Sequence, residues 1–307
     1  MDVLARIQDR LRRDFFRARY RRAARQVLRT TPLLTGGAPF TLLSMVQQRD
    51  VLSYLVAVKS FCVFLAPRRI VVVCDPTITE ADRAVLRCHV PHIELHDAQV
   101  FAHPRLPRGG CWERLSAIAA MVRDSYVVQL DADTVTVQAI AEVGEAIRAG
   151  RGFVLGEIPD TPIRSLEATR QYALQWLGPD AHIQAIAEME MVNVGLPANA
   201  RYIRGCAGFT GFPQADNMRD SLLDYATRLS DKVGDDWKRW GSEQVTSNYL
   251  VSNASGTEPL PFPKYGTPDC ATPETAFFHF IGSMRFVNDK YTATSRRAIA
   301  LIERGMQ

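Results

Sequence analysis

The chain has no apolar run near the roughly 18 residues that span a bilayer, so no transmembrane helix is expected in its 307 residues. The basic amino terminus is not followed by the apolar block and small-residue cleavage site of a signal peptide, and the chain is expected to stay in the cytosol. Six cysteines (Cys62, Cys74, Cys88, Cys111, Cys206, Cys270) include no Cys-x-x-Cys pair. Several sit in apolar runs, where a thiol acts as a small core residue, so reduced structural thiols are expected. Lysine is scarce, five among 37 basic residues, and no function follows from that bias. What is present is a globular composition, in which 47% hydrophobic and 23% charged residues can bury one large core or two smaller ones.

Charge is segregated along the chain. In residues 1–30, ten arginines against Asp2, Asp9 and Asp14 give +7, leaving −3 for the remainder of a chain whose net charge is +4. Leu4, Ile7, Leu11, Phe15 and Ala18 recur at three- and four-residue spacing between the arginines, which predicts a basic amphipathic helix. Three destinations are open to its apolar face: an anionic membrane surface, the chain's own domain, or another subunit. Breakers at 31–37 then predict a linker, so the expected organisation is a helix with the start of its linker over 1–32, one domain over 38–295, and a carboxyl-terminal helix or tail over 296–307.

From residue 39 the pattern alternates. Residues 40–46 predict a buried strand, 50–65 an amphipathic helix, and 69–73 a second strand. Thr79 caps a helix through Arg87, 92–96 is a short strand, and 112–122 is a helix feeding the run 126–134. This order predicts an α/β fold, a mostly parallel sheet with helices on both faces. Residues 140–149 and 152–156 add a helix and a strand, whose following Glu157 and Asp160 face the same edge as the preceding strand's end if the sheet is parallel. Residues 161–200 are expected to be helical and then irregular, an insertion that carries acceptor specificity.

The run Tyr126-Val127-Val128-Gln129-Leu130-Asp131-Ala132-Asp133 ends an apolar strand in two carboxylates on one side of an extended chain. At the mouth of a parallel strand such a pair can hold a divalent cation, and the cation a diphosphate; the same pair elsewhere is a solvated turn or a helix cap. Four histidines between 89 and 103 do not make a zinc site. Pro91 keeps His89 and His92 off one regular helix, and on a strand His92 and His96 form a surface row with Glu94. Further on, Gly241-Ser242-Glu243-Gln244 opens a helix, with Ser242 as its expected cap. His279 lies inside the aromatic run 276–286, either as a core histidine or as a ligand.

These blocks together resemble the metal-dependent, nucleotide-sugar-dependent glycosyltransferases of the GT-A fold, most closely glycosyltransferase family eight, which includes glycogenin and bacterial lipopolysaccharide galactosyl- and glucosyltransferases. The family's Arg-Leu resembles Arg114-Leu115, and its Leu-Asp-x-Asp resembles residues 130–133. Its Asp-Gln-x-x-x-Asn is similar to Glu243, Gln244 and Asn248, and its His-x-x-Gly-x-x-Lys to His279, Gly282 and Arg285. The order holds over about 40–290. Departures accompany it: Cys206-Ala207-Gly208 stands where the family has Asn-Ala-Gly, Val245 replaces an acid, and Arg285-Phe286-Val287 replaces Lys-Pro-Trp.

The resemblance implies a GT-A-like, Rossmann-like mixed sheet and a hexosyltransferase of polysaccharide or lipopolysaccharide synthesis, using a UDP-linked donor and a saccharide or glycolipid acceptor. It implies Mn²⁺ or Mg²⁺ on Asp131, Asp133 and His279, a mixed oxygen and nitrogen set that suits Mn²⁺ better than Ca²⁺. Donor contacts would come from Arg114, Gln129, Asp131, Ala132, Asp133, Gly282 and Arg285, with catalytic roles for Glu243 and Gln244. Peripheral contact with the inner face of a membrane would run through residues 1–30, whose deletion is expected to leave donor hydrolysis intact; no nucleic-acid partner is expected. Two other classes share parts of the pattern. Haloacid-dehalogenase phosphatases also place Asp-x-Asp at a strand end, and Gly234-Asp235-Asp236 imitates their last acidic motif, although the polar segment 228–232 before it reads as helix. A non-catalytic nucleotide-sugar-binding paralogue is the third class. Sugar, acceptor, anomeric outcome and oligomeric state are not legible in residue types.

Overall fold

The computed structural model describes residues 3–156, 158–282 and 284–305, so Glu157 lies outside the described residues. The first half alternates as the hydrophobic pattern predicts: β1 (Ala38–Val46), α2 (Val51–Phe64), β2 (Pro67–Cys74), α3 (Glu80–His89), β3 (Ile93–Asp97), α4 (Trp112–Met121) and β4 (Tyr126–Leu130), all preceded by α1 (Val3–Ala24). These strands pair in parallel, β3 on β2, β2 on β1 and β1 on β4. The central strands β1, β2 and β4 are apolar and almost fully buried because helices cover both faces of the sheet. Thr79 caps α3 in a reciprocal box with Asp82, which fixes where that helix begins.

The second half adds β5 (Thr134–Thr136), α5 (Ala141–Arg148), β6 (Phe153–Gly156), β7 (Ile163–Ser165), α6 (Leu166–Leu174), α7 (Ile183–Glu190), β8 (Arg201–Ile203) and β9 (Gly205–Phe212). It closes with α8 (Met218–Val233), α9 (Ser242–Ser252), β10 (Glu258–Pro259), β11 (Tyr265–Gly266), β12 (Phe277–His279) and α10 (Lys290–Gly305). The main sheet has seven strands in the order β10-β6-β9-β4-β1-β2-β3. Within it, β9 runs antiparallel to both neighbours, β4 and β6. Since β4 and β6 both oppose β9 they run the same way, and their carboxyl ends share an edge. A second, three-stranded sheet orders β11-β12-β5, and β7 pairs with β8. The segment 161–200 therefore contributes a strand as well as helices.

Three expectations are corrected where α1, α2 and α10 meet. The helix α2 is buried along most of its length instead of showing one polar side, because α10 and α1 pack over the side turned away from the sheet; a helix apolar all round is a buried one. Residues 30–31 are pinned, not free: the buried Lys59 donates to Thr30 Oγ1 at 2.8 Å and to the Thr31 carbonyl at 2.7 Å. The boundary expected at 295/296 falls inside α10, which buries Tyr291, Ser295, Ala298 and Ile302 along one face.

The amino-terminal helix divides in two. Tyr20, Ala23, Ala24 and, just beyond the helix, Val27 are buried, whereas Ile7, Leu11 and Phe15 are 50%, 65% and 59% exposed. At 3.6 residues per turn, Ile7, Leu11, Phe15 and Ala18 lie on the side of α1 opposite Tyr20, Ala23 and Ala24. The stripe predicted from spacing faces away from the domain. Among the described residues, no helix is long and apolar enough to cross a membrane.

Candidate active site

At the end of β4 the chain leaves the main sheet and re-pairs. The Asp131 amide donates to the Gly208 carbonyl of β9 at 2.9 Å, and β5 then joins β12 antiparallel with Thr134 opposite His279. The Phe280 amide donates to the Asp133 carbonyl at 2.9 Å. This pairing brings His279 beside the two acids across 146 residues of chain. Its Nε2 lies 3.2 Å from Asp133 Oδ1 and 3.9 Å from Asp131 Oδ2. The three residues are the one group among the described residues whose geometry could hold a metal ion, each offering an atom within 4.8 Å of the others. Gly208 makes room for the ring: a Cβ there would sit 2.1 Å from His279 Cε1.

Two arginines complete the cluster. Arg114 on α4 contacts Asp131 and donates to both carboxylate oxygens of Glu243 on α9 at 3.2 Å. Arg285, in the turn between β12 and α10, donates from Nε to Asp133 Oδ2 at 2.8 Å and from its NH1 nitrogen to Asp50 Oδ1 at 2.8 Å. A cleft of about 260 Å³ unites Arg114, Asp131, Asp133, Glu243, Gln244, His279, Gly282 and Arg285. Gln129 and Ala132 do not line it. Ala132 points to the face opposite the acids and joins the core, and Gln129 lies fully buried beneath Asp131 inside the sheet. Asp160 is exposed at positive φ and does not line the cleft either.

The start of α9 also differs from the expected cap. Gly241 holds the N-cap position at φ 107° without a capping side chain; Ser242 instead accepts from Trp112 Nε1 at 3.1 Å and donates to the Arg239 carbonyl at 3.1 Å. A backbone φ of 107° at this cap favours glycine, so Ser242 moves one step into the helix and ties α9 to α4. Gln244 donates to Gln184 Oε1 of α7 at 3.3 Å, so the insertion reaches the cleft. Gly234-Asp235-Asp236 lies in a short turn after α8, with Asp235 paired to the exposed Lys238, not behind a buried strand as a phosphatase motif requires.

Burial acts on Asp131, Asp133 and Glu243. It opposes ionisation of Asp133, yet His279 and Arg285 beside it hold that carboxyl down at about 2. Burial also raises Asp131, against the pull of Arg114. Glu243 is pushed up to about 7 by burial, with Arg114 only partly compensating. For His279, burial opposes the charge, and Cys206 and Asp133 outweigh it and favour the imidazolium. Cys206 Sγ sits 3.3 Å from His279 Nδ1, a contact at the ring's far nitrogen that fixes how the imidazole is aimed.

This donor set fits a divalent cation. Four carboxylates (Asp50, Asp131, Asp133, Glu243) face two guanidiniums and one imidazole. With all four carboxylates ionised and the imidazole deprotonated, as a ligand nitrogen must be, the group would carry −2, which one divalent ion cancels. Asp131 keeps a quarter of its side chain exposed toward the cleft, while those of Asp133 and His279 are 6% and 3% exposed, so one side is left open for a substrate oxygen.

Residue spacing gave no sign of Asp50, Cys206, Arg49 or Trp240 as members of this site. Asp50 precedes α2 and Cys206 opens β9, and each is brought in by strand pairing rather than by a local pattern. Trp240, 70% exposed at the cleft wall, carried a signal in retrospect: a bare aromatic directly before a glycine-led helix start.

No protein-family model and no curated protein matches the sequence. Solved structures do. The apo structure of the bifunctional glycosyltransferase WbbM aligns with 90% of this chain at a TM-score of 0.54 and 14% identity, and the match spans 53% of the WbbM chain, about half its length. The galactosyltransferase LgtC in complex with donor and acceptor sugar analogues aligns with 86% of this chain and 95% of its own, at a TM-score of 0.47 and 14% identity. Mouse xyloside xylosyltransferase 1 in its apo form aligns with 80% of this chain and 98% of its own, at 0.45 and 14%. At 14% identity, the likeness to WbbM carries architecture and not activity. Seven strands with β9 reversed, an acidic pair where β4 ends and a small second sheet that returns a histidine to it place the chain in the GT-A glycosyltransferase fold.

Proposed function

We propose that the protein is a metal-dependent glycosyltransferase that moves a sugar from a nucleoside-diphosphate donor, UDP-linked, to a saccharide or glycolipid acceptor. The observation that carries this reading is the convergence of Asp131, Asp133 and His279 with Arg114 and Arg285 in one cleft at the carboxyl end of the central strand. Asp131, Asp133 and His279 would hold Mn²⁺ or Mg²⁺, which neutralises the diphosphate as its bond to the sugar breaks. Arg285 then turns a guanidinium from Asp133 and Asp50 toward phosphate oxygens, where its planar fork gives paired hydrogen bonds. Gly282 leaves that wall without a side chain. Arg114 keeps Glu243 aimed into the cleft, where the acid binds sugar hydroxyls or takes a proton from the acceptor.

Acceptor recognition falls to the insertion. His182 packs edge-on to Trp240 with ring centroids 5.7 Å apart, and an exposed indole beside a sugar site offers a stacking face. The outer face of α1 supplies the link to a glycolipid: apolar side chains between arginines adsorb on anionic lipid.

The deciding experiment is a panel of nucleotide sugars with and without Mn²⁺, read as thermal stabilisation and as donor hydrolysis. A ligand that binds the native state raises its melting temperature. One UDP-sugar is expected to do so only with the metal present. Stabilisation by none of the panel, or the same stabilisation after chelation, refutes the reading.

A further inference from the structure

Beside the cleft lies a second cavity of about 470 Å³, between the second half of α1 and the turn after β12. It shares Arg49, Gly282 and Arg285 with the cleft, so the two spaces adjoin. Its remaining charge comes from a helix outside the stretch that resembles known glycosyltransferases: Arg17 and Arg21 of α1 line it, and among the described residues Asp50 is the one carboxylate that does. Asp50 is already held by Arg285 at 2.8 Å. Arg17 is shared with Asp14 at 2.9 Å, and Arg49 reaches Asp50 only at 3.6 Å. Among the described residues Arg21 has no acidic partner.

The wall is rigid where it needs to be. Tyr20, one residue from Arg21, stacks on Tyr291 with ring centroids 4.0 Å apart and packs on Phe286 at 5.6 Å. The Arg17 guanidinium lies 5.3 Å from the centre of the Phe286 ring. The stacked Tyr20–Tyr291 pair thus fixes this turn of α1 against the segment that carries Arg285, so that Arg17, Arg21, Arg49 and Arg285 line one cavity. Cations kept close in this way cost free energy unless an anion bridges them.

We propose that Arg17, Arg21 and Arg49 form, with Arg285, a second anion subsite that receives a phosphate group next to the metal cleft. This rests on the proposed donor reading. Two sources share the chemistry: the diphosphate of the donor, reaching past Arg285, or a phosphate of the lipid surface on which α1 lies. The shared wall at Gly282 and Arg285 favours the donor, and makes α1 a part of the donor site instead of a detachable tether.

The test titrates inorganic pyrophosphate with Mn²⁺ into the full chain by calorimetry, and separately measures sedimentation with phosphatidylglycerol vesicles. The variants are Arg17→Ala/Arg21→Ala, the single reversal Arg21→Glu, and Arg296→Ala/Arg297→Ala, which removes two exposed charges from α10 away from the cavity. Pyrophosphate affinity is expected to fall about tenfold or more in the first two, the scale of lost charge-assisted hydrogen bonds, and to hold in the third. Arg21→Glu guards against misfolding in the double variant, since Arg21 is exposed. Loss in the vesicle arm alone assigns the subsite to a lipid phosphate. Equal pyrophosphate affinity together with equal vesicle binding in all proteins, or equal loss in the α10 variant, overturns the subsite. Asp133→Asn titrated in parallel separates the two readings: if it binds as the unmodified chain does, the metal reading fails while the arginine subsite stands. If the unmodified chain binds neither pyrophosphate nor the vesicles, both readings are refuted.

Discussion

The cleft and the outer half of α1 are both densely charged, and they handle charge in opposite ways. In the cleft the side chains of Arg114, Glu243 and Asp133 are 5%, 4% and 6% exposed, and each is bound to an opposite charge. On α1 the pair Arg17–Asp14 stands about half exposed on both sides, as surface pairs worth about 0–1 kcal/mol do. Burying an ion costs several kcal/mol that only good partners offset. Such groups persist where the chain needs them charged and aimed. Exposed arginines cost little to keep, and they act through a summed field that salt screens within roughly 10 Å. Single substitutions should therefore silence the cleft but only dilute the helix.

The helix itself is not uniform, and truncation at two points should break it into its parts. Removing residues 1–14 takes away the exposed side chains of 6–14 and should leave the melting temperature within a few degrees. Removing 1–30 takes Tyr20, Ala23, Ala24 and Val27 from the core, uncovers α2, and deprives the buried Lys59 of Thr30. At about 25 cal/mol per Å² of apolar surface, that loss is of order 5 kcal/mol, enough to unfold a domain of ordinary stability. Packing therefore predicts that deleting 1–30 abolishes donor hydrolysis through unfolding, against the expectation that the deletion spares it. If the longer truncation stays soluble, folded and active, α1 is a tether after all.

Within the cleft, Asp133→Asn keeps the shape and removes the charge that Arg285 and His279 share. Turnover should fall about a thousandfold or more, since charge stabilisation of the leaving group is the largest contribution to such reactions. Stabilisation by Mn²⁺ should vanish with it. Arg285 retains Asp50, so the fold should survive and circular dichroism should be unchanged. Full Mn²⁺-dependent donor binding in this variant would remove Asp133 from the metal site.

Glu243→Gln should cost about a hundredfold in turnover, within the range of general acid–base groups. Its stability signature differs in sign from that of an ordinary surface acid. Burial lifts the folded-state value to about 7 from a usual 4.5, so the folded protein holds the proton more tightly than the unfolded chain. Stability from this group is full below about pH 4.5 and is lost as pH rises through about 7. Relative to Glu243→Gln, the native protein should lose melting temperature over that window. A flat difference means that Arg114 keeps Glu243 ionised throughout.

Much of this was readable from local pattern. The β1, β2 and β4 runs, the Thr79 cap and the acids ending β4 announce themselves through apolar periodicity and spacing, because neighbours in sequence decide them. The site's completion is not local. Asp50 meets Arg285 across 235 positions and Cys206 meets His279 across 73; both depend on the β5–β12 pairing, which three-residue strands do not signal. The α1 stripe was legible as a helix face, but its partner was not, since the buried side is built from Tyr20 and small alanines that carry little hydrophobic signal. Likewise α2 looked amphipathic until α10, more than 200 residues later, covered its other side.

The smallest expected effect on the fold comes from the outer face of α1. Leu11→Asp with Phe15→Asp places two carboxylates where the side chains are 65% and 59% exposed, so stability should move by less than about 0.5 kcal/mol and turnover on a soluble acceptor should hold. Adsorption should respond strongly. Each apolar side chain withdrawn from lipid forfeits roughly 1.5–3 kcal/mol, and each new acid is repelled by an anionic surface, so binding to phosphatidylglycerol vesicles should drop at least tenfold. Arg10→Gln with Arg13→Gln should weaken the same binding by about 1 kcal/mol per charge, and that loss should shrink as salt rises. The two variants separate the apolar from the electrostatic part of one surface. If instead neither changes vesicle binding and the aspartates convert a dimer in solution to a monomer, the stripe is a contact between copies of this chain, and the membrane proposal is withdrawn.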